Sequence, residues 1–445
     1  MAKDRSQLHA DANSILHACL DAADPEAAVK NALRLRDTWL DVKSELEMDL
    51  REFDRVFVVG GGKGSAPMAR AVEDILGERL TGGIISVKYG YGFPLERVRV
   101  MEAGHPVPDR AGEAAARAIL DLLAGLAERD LVISCISGGG SALLPSPPEG
   151  IELEDKQALT NLLLSVGATI HEINVVRKHI SLTKGGNLMR IAYPAFVVNL
   201  MLSDVVGDDP DTIASGPFVP DRSTFHQALS VLEKYDLVKR VSEGILERLQ
   251  EGVAGKIPET PKEDNVIFLR CRNVIVASNF LSLKAGAERA VSLGYATAVL
   301  SSSLEGDTEQ VAHFHGAVAR EIRATGNPLQ APACILSGGE TTVVLRGSGK
   351  GGRNQHFALC LVEEAARIPR SLFLAAGTDG TDGPTDAAGA AVDDESFSRA
   401  RSLGLDPEVF MANNDSYNFF QSLGDLIITG PTRTNVMDVR IVLIA

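Results

Sequence analysis

The 445-residue chain has few cysteines and no pattern among them. Cys19, Cys135, Cys271, Cys334 and Cys360 are scattered singly, with no C-x-x-C pair and no metal-finger spacing. That excludes a disulfide scaffold and a zinc-ribbon module, and the thiols are expected to be free in a reducing compartment. Cys135 and Cys334 fall inside apolar runs and read as small core residues. An excess of positive charge is also missing: 44 Lys and Arg against 59 Asp and Glu give a formal net charge of −15. This balance excludes nucleic acid or a membrane surface as the main partner, yet permits a small anionic substrate wherever cations are concentrated. Long hydrophobic runs are absent too. The longest near-apolar stretch, Ala195 to Leu202, contains Asn199 and is too short to cross a bilayer. Met1–Gln7 is charged and polar and shows no signal-peptide core. The expectation is a soluble, cytoplasmic, globular chain.

What is present is a repeating rhythm. After a helical start, in which Leu8, Ala12, Ile15, Leu16, Cys19 and Leu20 recur at helix spacing and Ala27 through Leu46 continues it, short apolar runs begin at Arg55. Val56–Val59 precedes Gly60-Gly61-Gly62, Ile84–Val87 follows, Leu131–Ile136 precedes Gly138-Gly139-Gly140, and Ala195–Leu202 precedes Ser203-Asp204. Short, fully apolar strands alternating with Ala-rich helices predict an α/β fold with a doubly wound, Rossmann-like parallel sheet. Glu251 to Asn265 loses periodicity and brings two prolines among charges, which marks a linker. The expected organisation is an N-terminal α/β domain over 1–250, a linker over 251–265 and a C-terminal α/β domain over 266–445. Strands of the latter are expected at Val266–Leu269, Asn273–Ala277, Ala296–Leu300, Cys334–Leu336, Thr342–Leu345, Leu372–Ala376, Leu426–Thr429 and Val439–Leu443.

Open sheets bind ligands beyond the carboxyl ends of their strands, so chemistry is sought there. The first loop is Gly60-Gly61-Gly62-Lys63-Gly64-Ser65. Its glycines let backbone approach a phosphate at a helix N-terminus, and Lys63 adds a mobile cation. It is not a Walker A loop, because Gly64 intervenes between Lys63 and the hydroxyl. It is not a dinucleotide fingerprint either. Ser65 replaces the last glycine, and the second strand ends at Lys88 where a ribose-binding acid belongs. The second loop, Ser137-Gly138-Gly139-Gly140-Ser141, offers backbone N–H groups and two hydroxyls, and no G-x-S-x-G elbow is present. Ser337-Gly338-Gly339-Glu340-Thr341 is a third, weaker loop.

Between the first two loops lies His105, either a proton carrier or a packing residue. Arg177, Lys178 and His179, followed by Lys184-Gly185-Gly186, gather cations that suit an anion or form a solvated helix face. Asp204 closes an apolar strand and suits either a general base or a group that supports a bound Mg2+, while Asp208-Asp209 reads as turn acids. Farther on, Arg353 follows a glycine-rich loop, as a cation that meets phosphoryl oxygens would. Asp379, Asp382 and Asp386 offer hard oxygen ligands for Mg2+ at a spacing that does not fit an EF-hand. Paired anion cradles, separated cations and strand-end aspartates together suit phosphoryl transfer.

The strings GGGKGSA, EAGHPVPD, SGGGSALL, INVVRKHIS, SDVVGDDPDTIASGP, SGGETTV, GGRNQ, GTDGTDGPTDAAGA and TGPTRTNVMD occur in this order from about Asp54 onward. The chain thereby resembles the class II glycerate 2-kinases, whose C-terminal part is the MOFRL domain, here about 332–440. The resemblance implies ATP- and Mg2+-dependent phosphorylation of the 2-hydroxyl of D-glycerate to 2-phospho-D-glycerate and ADP, with the active site in the cleft between two α/β domains. It puts the family's essential lysine on Lys63 and its essential arginine on Arg353. One departure is His356 after Gln355, where the family usually carries Glu. In the expected mechanism the loops at Gly60, Gly61, Gly62 and Ser65 and at Ser137, Gly138, Gly139, Gly140 and Ser141 hold nucleotide phosphates. Asp379 and Asp382 hold the metal, Lys63 and Arg353 neutralise transferring charge, and Asp204 orients or deprotonates the hydroxyl. Two other functions remain open at this point: a nicotinamide-dependent hydroxypyruvate reductase, and a non-catalytic sugar-acid-binding module. The oligomeric state is not legible.

Overall fold

In a computed structural model the described residues are 3–445, and by contact they divide into two units. One comprises Pro25–Ser203 and Asp208–Val276; the other comprises the residues up to Asp24, Asp204–Gly207 and Ala277–Ala445.

The first unit opens on a three-stranded antiparallel meander, β1 Leu33–Arg36, β2 Trp39–Val42 and β3 Leu46–Asp49. This corrects the helix expected through Ala27–Leu46; only Pro25–Ala32 is helical. Leu33-Arg34-Leu35-Arg36 alternates with a period of two, and Asp37, Lys43 and Ser44 take positive φ in the turns, so strand pairing wins.

The main sheet follows: β4 Arg55–Gly61, β5 Gly82–Lys88, β6 Val98–Ala103, β7 Asp130–Ile136, β8 Phe196–Leu202 and β9 Cys271–Ala277. Its order is β6-β5-β4-β7-β8-β9, with β6 through β8 parallel. This is the doubly wound order in which the chain runs outward from β4, returns, and runs the other way from β7. Central strand β7 is buried at every residue, as a sheet covered on both faces requires. A separate helical layer packs Leu159, Leu163, Ile173, Val176, Ile180, Phe225 and Leu232 into its own core.

The second unit is built on a mixed sheet of β10 Ala296–Leu304, β11 Ala333–Gly339, β12 Ser371–Gly377, β13 Gly389–Asp393, β14 Leu426–Ile427 and β15 Asp438–Ile444. The order is β10-β11-β15-β12-β13-β14, parallel only between β10 and β11. One face packs the helices Thr308–Thr325 and Arg353–Cys360 through Ala319, Phe357 and Phe373. The other face carries the N-terminal helix Arg5–Ala23, whose Leu8, Ala12, Ile15, Leu16 and Cys19 meet Leu283, Leu336 and Ile441.

The units do not divide where composition suggests. Residues 251–265 lie inside the first unit, and the strand expected at Val266–Leu269 is a 3-10 turn, Val266–Arg270. β9 then joins the edge of the first sheet. Prolines and charges mark a surface connection, which need not be a domain boundary. Thr342–Leu345 is likewise not a strand; Thr342 makes a single bridge with Asp307. The five cysteines are free, four of them buried, and among the described residues no helix is long and apolar enough to cross a membrane.

Candidate active site

In a sheet of this order, ligands bind where the chain direction reverses, between the carboxyl ends of β4 and β7. Both glycine loops leave the sheet at that point. They are knitted to one another: Lys63 N donates to Gly138 O at 2.9 Å, Ser137 N to Gly61 O at 3.2 Å, and Gly64 N to Ser137 Oγ at 2.9 Å. Gly62, at φ +146°, sits so close that any Cβ would strike the Ser137 hydroxyl and carbonyl, which is why glycine is required there. The structure therefore gives Ser137 the part of a strut between loops. Ser65 is similar, its Oγ donating to Cys135 O at 2.8 Å, and both hydroxyls are buried. Ser141, by contrast, opens onto a cavity.

That cavity, of about 440 Å3, lies within the first unit and begins at Gly139, Ser141 and His105. Gly139, at φ +86°, lets the His105 ring approach; a Cβ there would be 3.0 Å from Nε2 and 3.6 Å from Lys63 Cγ. Burial first, and then repulsion from Lys63 and Lys88, push the His105 pKa down to about 4. Its imidazole is thus neutral near pH 7. Three further cations line the cavity: Lys156, Arg177 and Lys184.

The cation-rich run on the helix Ile170–His179 is divided among different partners. Arg177 faces the cavity, Lys178 is buried in an ion pair with Asp211 (2.5 Å) and Asp221 (3.2 Å), and His179 Nε2 meets Glu259 at 2.9 Å. Lys184 Nζ donates to Ser141 O at 2.7 Å. Ser141 Oγ is 3.2 Å from Ser215 Oγ, which donates to Asn174 at 3.1 Å. Ala214 and Ser215 hold φ of 50° and 61°, a strained left-handed pair for side-chain-bearing residues, of the kind that concentrates at functional sites. Asp204 follows β8 and is half-buried, and Asp208 also has a positive φ of 55°.

The second unit has its own polar cavity of about 620 Å3, lined by Glu340, Arg353, Asp379, Asp382 and Asp438 among others. Arg353 begins the helix Arg353–Cys360 and is held by Asp438 Oδ2 and Glu340 Oε1, each at 2.7 Å. Burial works against its charge, but the two carboxylates outweigh it and raise its pKa. Asp438, fully buried, also takes Asn354 Nδ2 at 2.9 Å and Arg440 Nη2 at 3.2 Å. Asp382 accepts the backbone N–H groups of Asn354 (3.1 Å) and Gln355 (2.8 Å), so this predicted metal ligand caps the arginine's helix. Burial, reinforced by Asp438, raises its pKa to about 6. Asp379 Oδ1 accepts from Thr381 N at 3.0 Å, and Asp386 is engaged by the Tyr417 hydroxyl at 2.8 Å. His356, the departure from the family pattern, is buried beside Glu309 at 3.4 Å.

Lys156, Asp438 and Arg440 were not among the predicted site residues, though each left a trace. Lys156 shares the buried stripe Leu153, Leu159 and Leu163 of its helix, and Asp438 and Arg440 interrupt the apolar strand β15. A charge on an apolar face is the informative exception to burial patterning.

A doubly wound sheet with two interlocked glycine-rich loops at its switch point, and a second unit presenting a carboxylate-held arginine, place the chain among the α/β enzymes. The chain matches a domain of unknown function, DUF4147, over residues 11–250 and the MOFRL family over residues 333–438. It is 42% identical to the glycerate 2-kinase of Pyrococcus horikoshii over 96% of this chain and 94% of that protein. It is 40% identical to the D-glycerate 2-kinase of Thermotoga maritima over 99% of each. The crystal structure of the Thermotoga maritima glycerate kinase superposes with a TM-score of 0.89 at 38% identity, covering 99% of this chain and 100% of that one. A relative from Agrobacterium vitis, 41% identical over 97% of this chain and 93% of its own length, carries a hydroxypyruvate reductase name. The chain belongs to the glycerate 2-kinase family.

Proposed function

We infer that this protein transfers the γ-phosphoryl group of ATP to the 2-hydroxyl of D-glycerate, giving 2-phospho-D-glycerate and ADP. The observation that carries this reading is the pair of interlocked glycine loops, with Lys63 between them, at the switch point of a chain belonging to this family. The reductase reading lacks its nicotinamide determinants: β5 ends at Lys88, not at an acid, and Ser65 fills the last glycine position with its hydroxyl tied to Cys135.

In the proposed chemistry the loop backbones at Gly60–Gly62 and Gly138–Gly140, with Ser141, orient the phosphates. Asp204 accepts the proton of the 2-hydroxyl as its oxygen bonds to the γ-phosphorus and the bond to the ADP oxygen breaks. Lys63 and Arg353 neutralise the charge on the transferring oxygens, and Arg353 does so with a planar fork already aligned by Asp438 and Glu340. Mg2+, when bound, draws negative charge from the β- and γ-phosphates. Among the described residues no group of three or more His, Cys, Asp or Glu side chains converges as a metal cage. Magnesium in such enzymes rides on phosphates with one or two carboxylates, so the donor set fits it. Asp379 would hold it, with Asp382 fixed behind on the helix start.

The test is ADP release from D-glycerate, ATP and Mg2+, with the product passed to enolase. Formation of phosphoenolpyruvate with no added mutase is expected. A requirement for mutase would move the reaction to the 3-hydroxyl, and NADH oxidation with hydroxypyruvate in place of ADP release would overturn the reading.

A further inference from the structure

We propose that the cavity lined by Lys156, Arg177 and Lys184 is the nucleotide pocket, with the base against Leu159, Leu163 and Val176 and the polyphosphate toward Lys184 and Ser141. This assignment rests on the kinase reading for the identity of the nucleotide.

Three observations carry it. The first is charge. Lys156, Arg177 and Lys184 line one cavity, and no carboxylate lines it with them. Lys156 is 7% exposed, and its Nζ has no hydrogen-bond partner. A buried cation in that condition is costly unless a ligand completes it. Lys178, one residue from Arg177, shows the alternative, since its charge is matched by Asp211 and Asp221.

The second is shape and lining. At about 440 Å3 the space far exceeds a three-carbon acid and is of the size that encloses a cofactor-sized molecule. Pro145, Leu159, Leu163, Leu164, Val176 and Ile180 form apolar walls that an all-polar acid has no use for, whereas a purine needs them. The third is position. The cavity takes in Gly139 and Ser141, part of the second switch-point loop.

The protonation of Lys156 follows from the same arrangement. Burial, then Arg177 on the helix Ile170–His179 and Arg248 on Glu243–Val253, push its pKa down to about 7, and Glu113 on Arg110–Ala124 opposes this only weakly. Lys184, also cationic in water, is depressed by burial and by Lys156 and Arg177. A polyphosphate entering beside these groups restores the charged form, so nucleotide binding above pH 7 takes up protons.

The experiment is calorimetric titration of the full chain with ADP at pH 8, without glycerate and in buffers of different ionisation enthalpy, followed by steady-state kinetics. Lys156→Met retains the bulk and removes the charge. Its expected effects are a loss of about tenfold or more in ADP affinity, a parallel rise in KM for ATP, an unchanged KM for D-glycerate, and reduced proton uptake. Leu163→Trp, which fills the apolar end, is expected to weaken ADP binding while leaving proton uptake per bound nucleotide intact. A rise in KM for D-glycerate with ADP affinity unchanged would overturn the proposal and give the cavity to the acid. Unchanged ADP affinity in both folded variants would overturn it outright. Wild-type protein that binds ADP with proton uptake but phosphorylates no glycerate would support this pocket while refuting the kinase reading.

Discussion

The two cavities treat buried positive charge in opposite ways. In the parallel-sheet unit, Lys156, Arg177 and Lys184 face a space that contains no carboxylate, and burial depresses all three pKa values. In the mixed-sheet unit, Arg353 is clasped by Asp438 and Glu340, and Asp438 also holds Arg440. The first arrangement stores an unmet demand for negative charge, so occupancy by an anion is what makes it favourable. The second is already neutralised. Its value lies in geometry: a guanidinium with a fixed plane can exchange a carboxylate for a phosphoryl group without first paying the entropy of ordering its side chain. On the proposed reading one site binds the nucleotide and the other aligns a cation for the charge that develops in transfer.

The sharpest way to break this comparison is at Arg353. Arg353→Ala is expected to lower kcat by about a thousandfold, the range of a cation acting on the transition state, while ADP affinity changes little. Arg353→Lys should rescue only a minor part, because an ammonium cannot reproduce the fork that meets Glu340 and Asp438 together. Loss of ADP affinity equal to the loss of kcat would show that both cavities serve ground-state binding. Asp438→Asn comes next. It removes the negative charge shared by Arg353 and the fully buried Arg440, and it is expected to destabilise the fold by about 3 kcal/mol in urea titration. Glu340→Gln, at a half-exposed position, should cost far less than 1 kcal/mol in the same titration. Equal effects from these two substitutions would mean that Arg353 is not anchored from its buried side.

The contrast also explains what could be read without coordinates. The glycine loops were legible because Gly60–Gly64 and Ser137–Ser141 each follow a short apolar strand, and strand ends are where doubly wound sheets place ligands. That Ser65 and Ser137 turn inward was not legible, since a hydroxyl beside glycines looks the same whether it meets a phosphate or a neighbouring loop. Lys63 and Arg353 stood out by their glycine-rich settings. Their support did not, because Asp438 lies 85 residues from Arg353 in sequence and meets it only through β15 pairing between β11 and β12. The meander at Leu33–Asp49 is hidden in the sequence because its strands are only four residues long, too short for alternation to stand out against the helical pattern before it. Lys156 sits on the Leu153–Leu163 stripe, but a single lysine on an apolar face is visible only once the helix boundaries are known.

The dependence of stability on pH is the most specific test of uncompensated charge. With the Lys156 pKa brought from its ordinary 10.5 to about 7 by burial and by Arg177 and Arg248, the unfolded chain holds a proton between those values that the folded chain lacks. Stability from this group is therefore complete above pH 10.5 and is lost as pH falls to about 7, below which the folded protein carries the charged lysine at full cost. Lys156→Met deletes that cost, which is on the order of a few kcal/mol. The variant should accordingly be more stable than the wild type by urea titration at pH 6.5, and the gap should narrow at pH 9.5. Saturating ADP should narrow it at pH 6.5 too, because the ligand supplies the missing negative charge to the wild type alone. A stability gain independent of both pH and nucleotide would mean that Met packs better at this position for reasons of shape, and that the lysine's charge is not what the cavity holds in reserve.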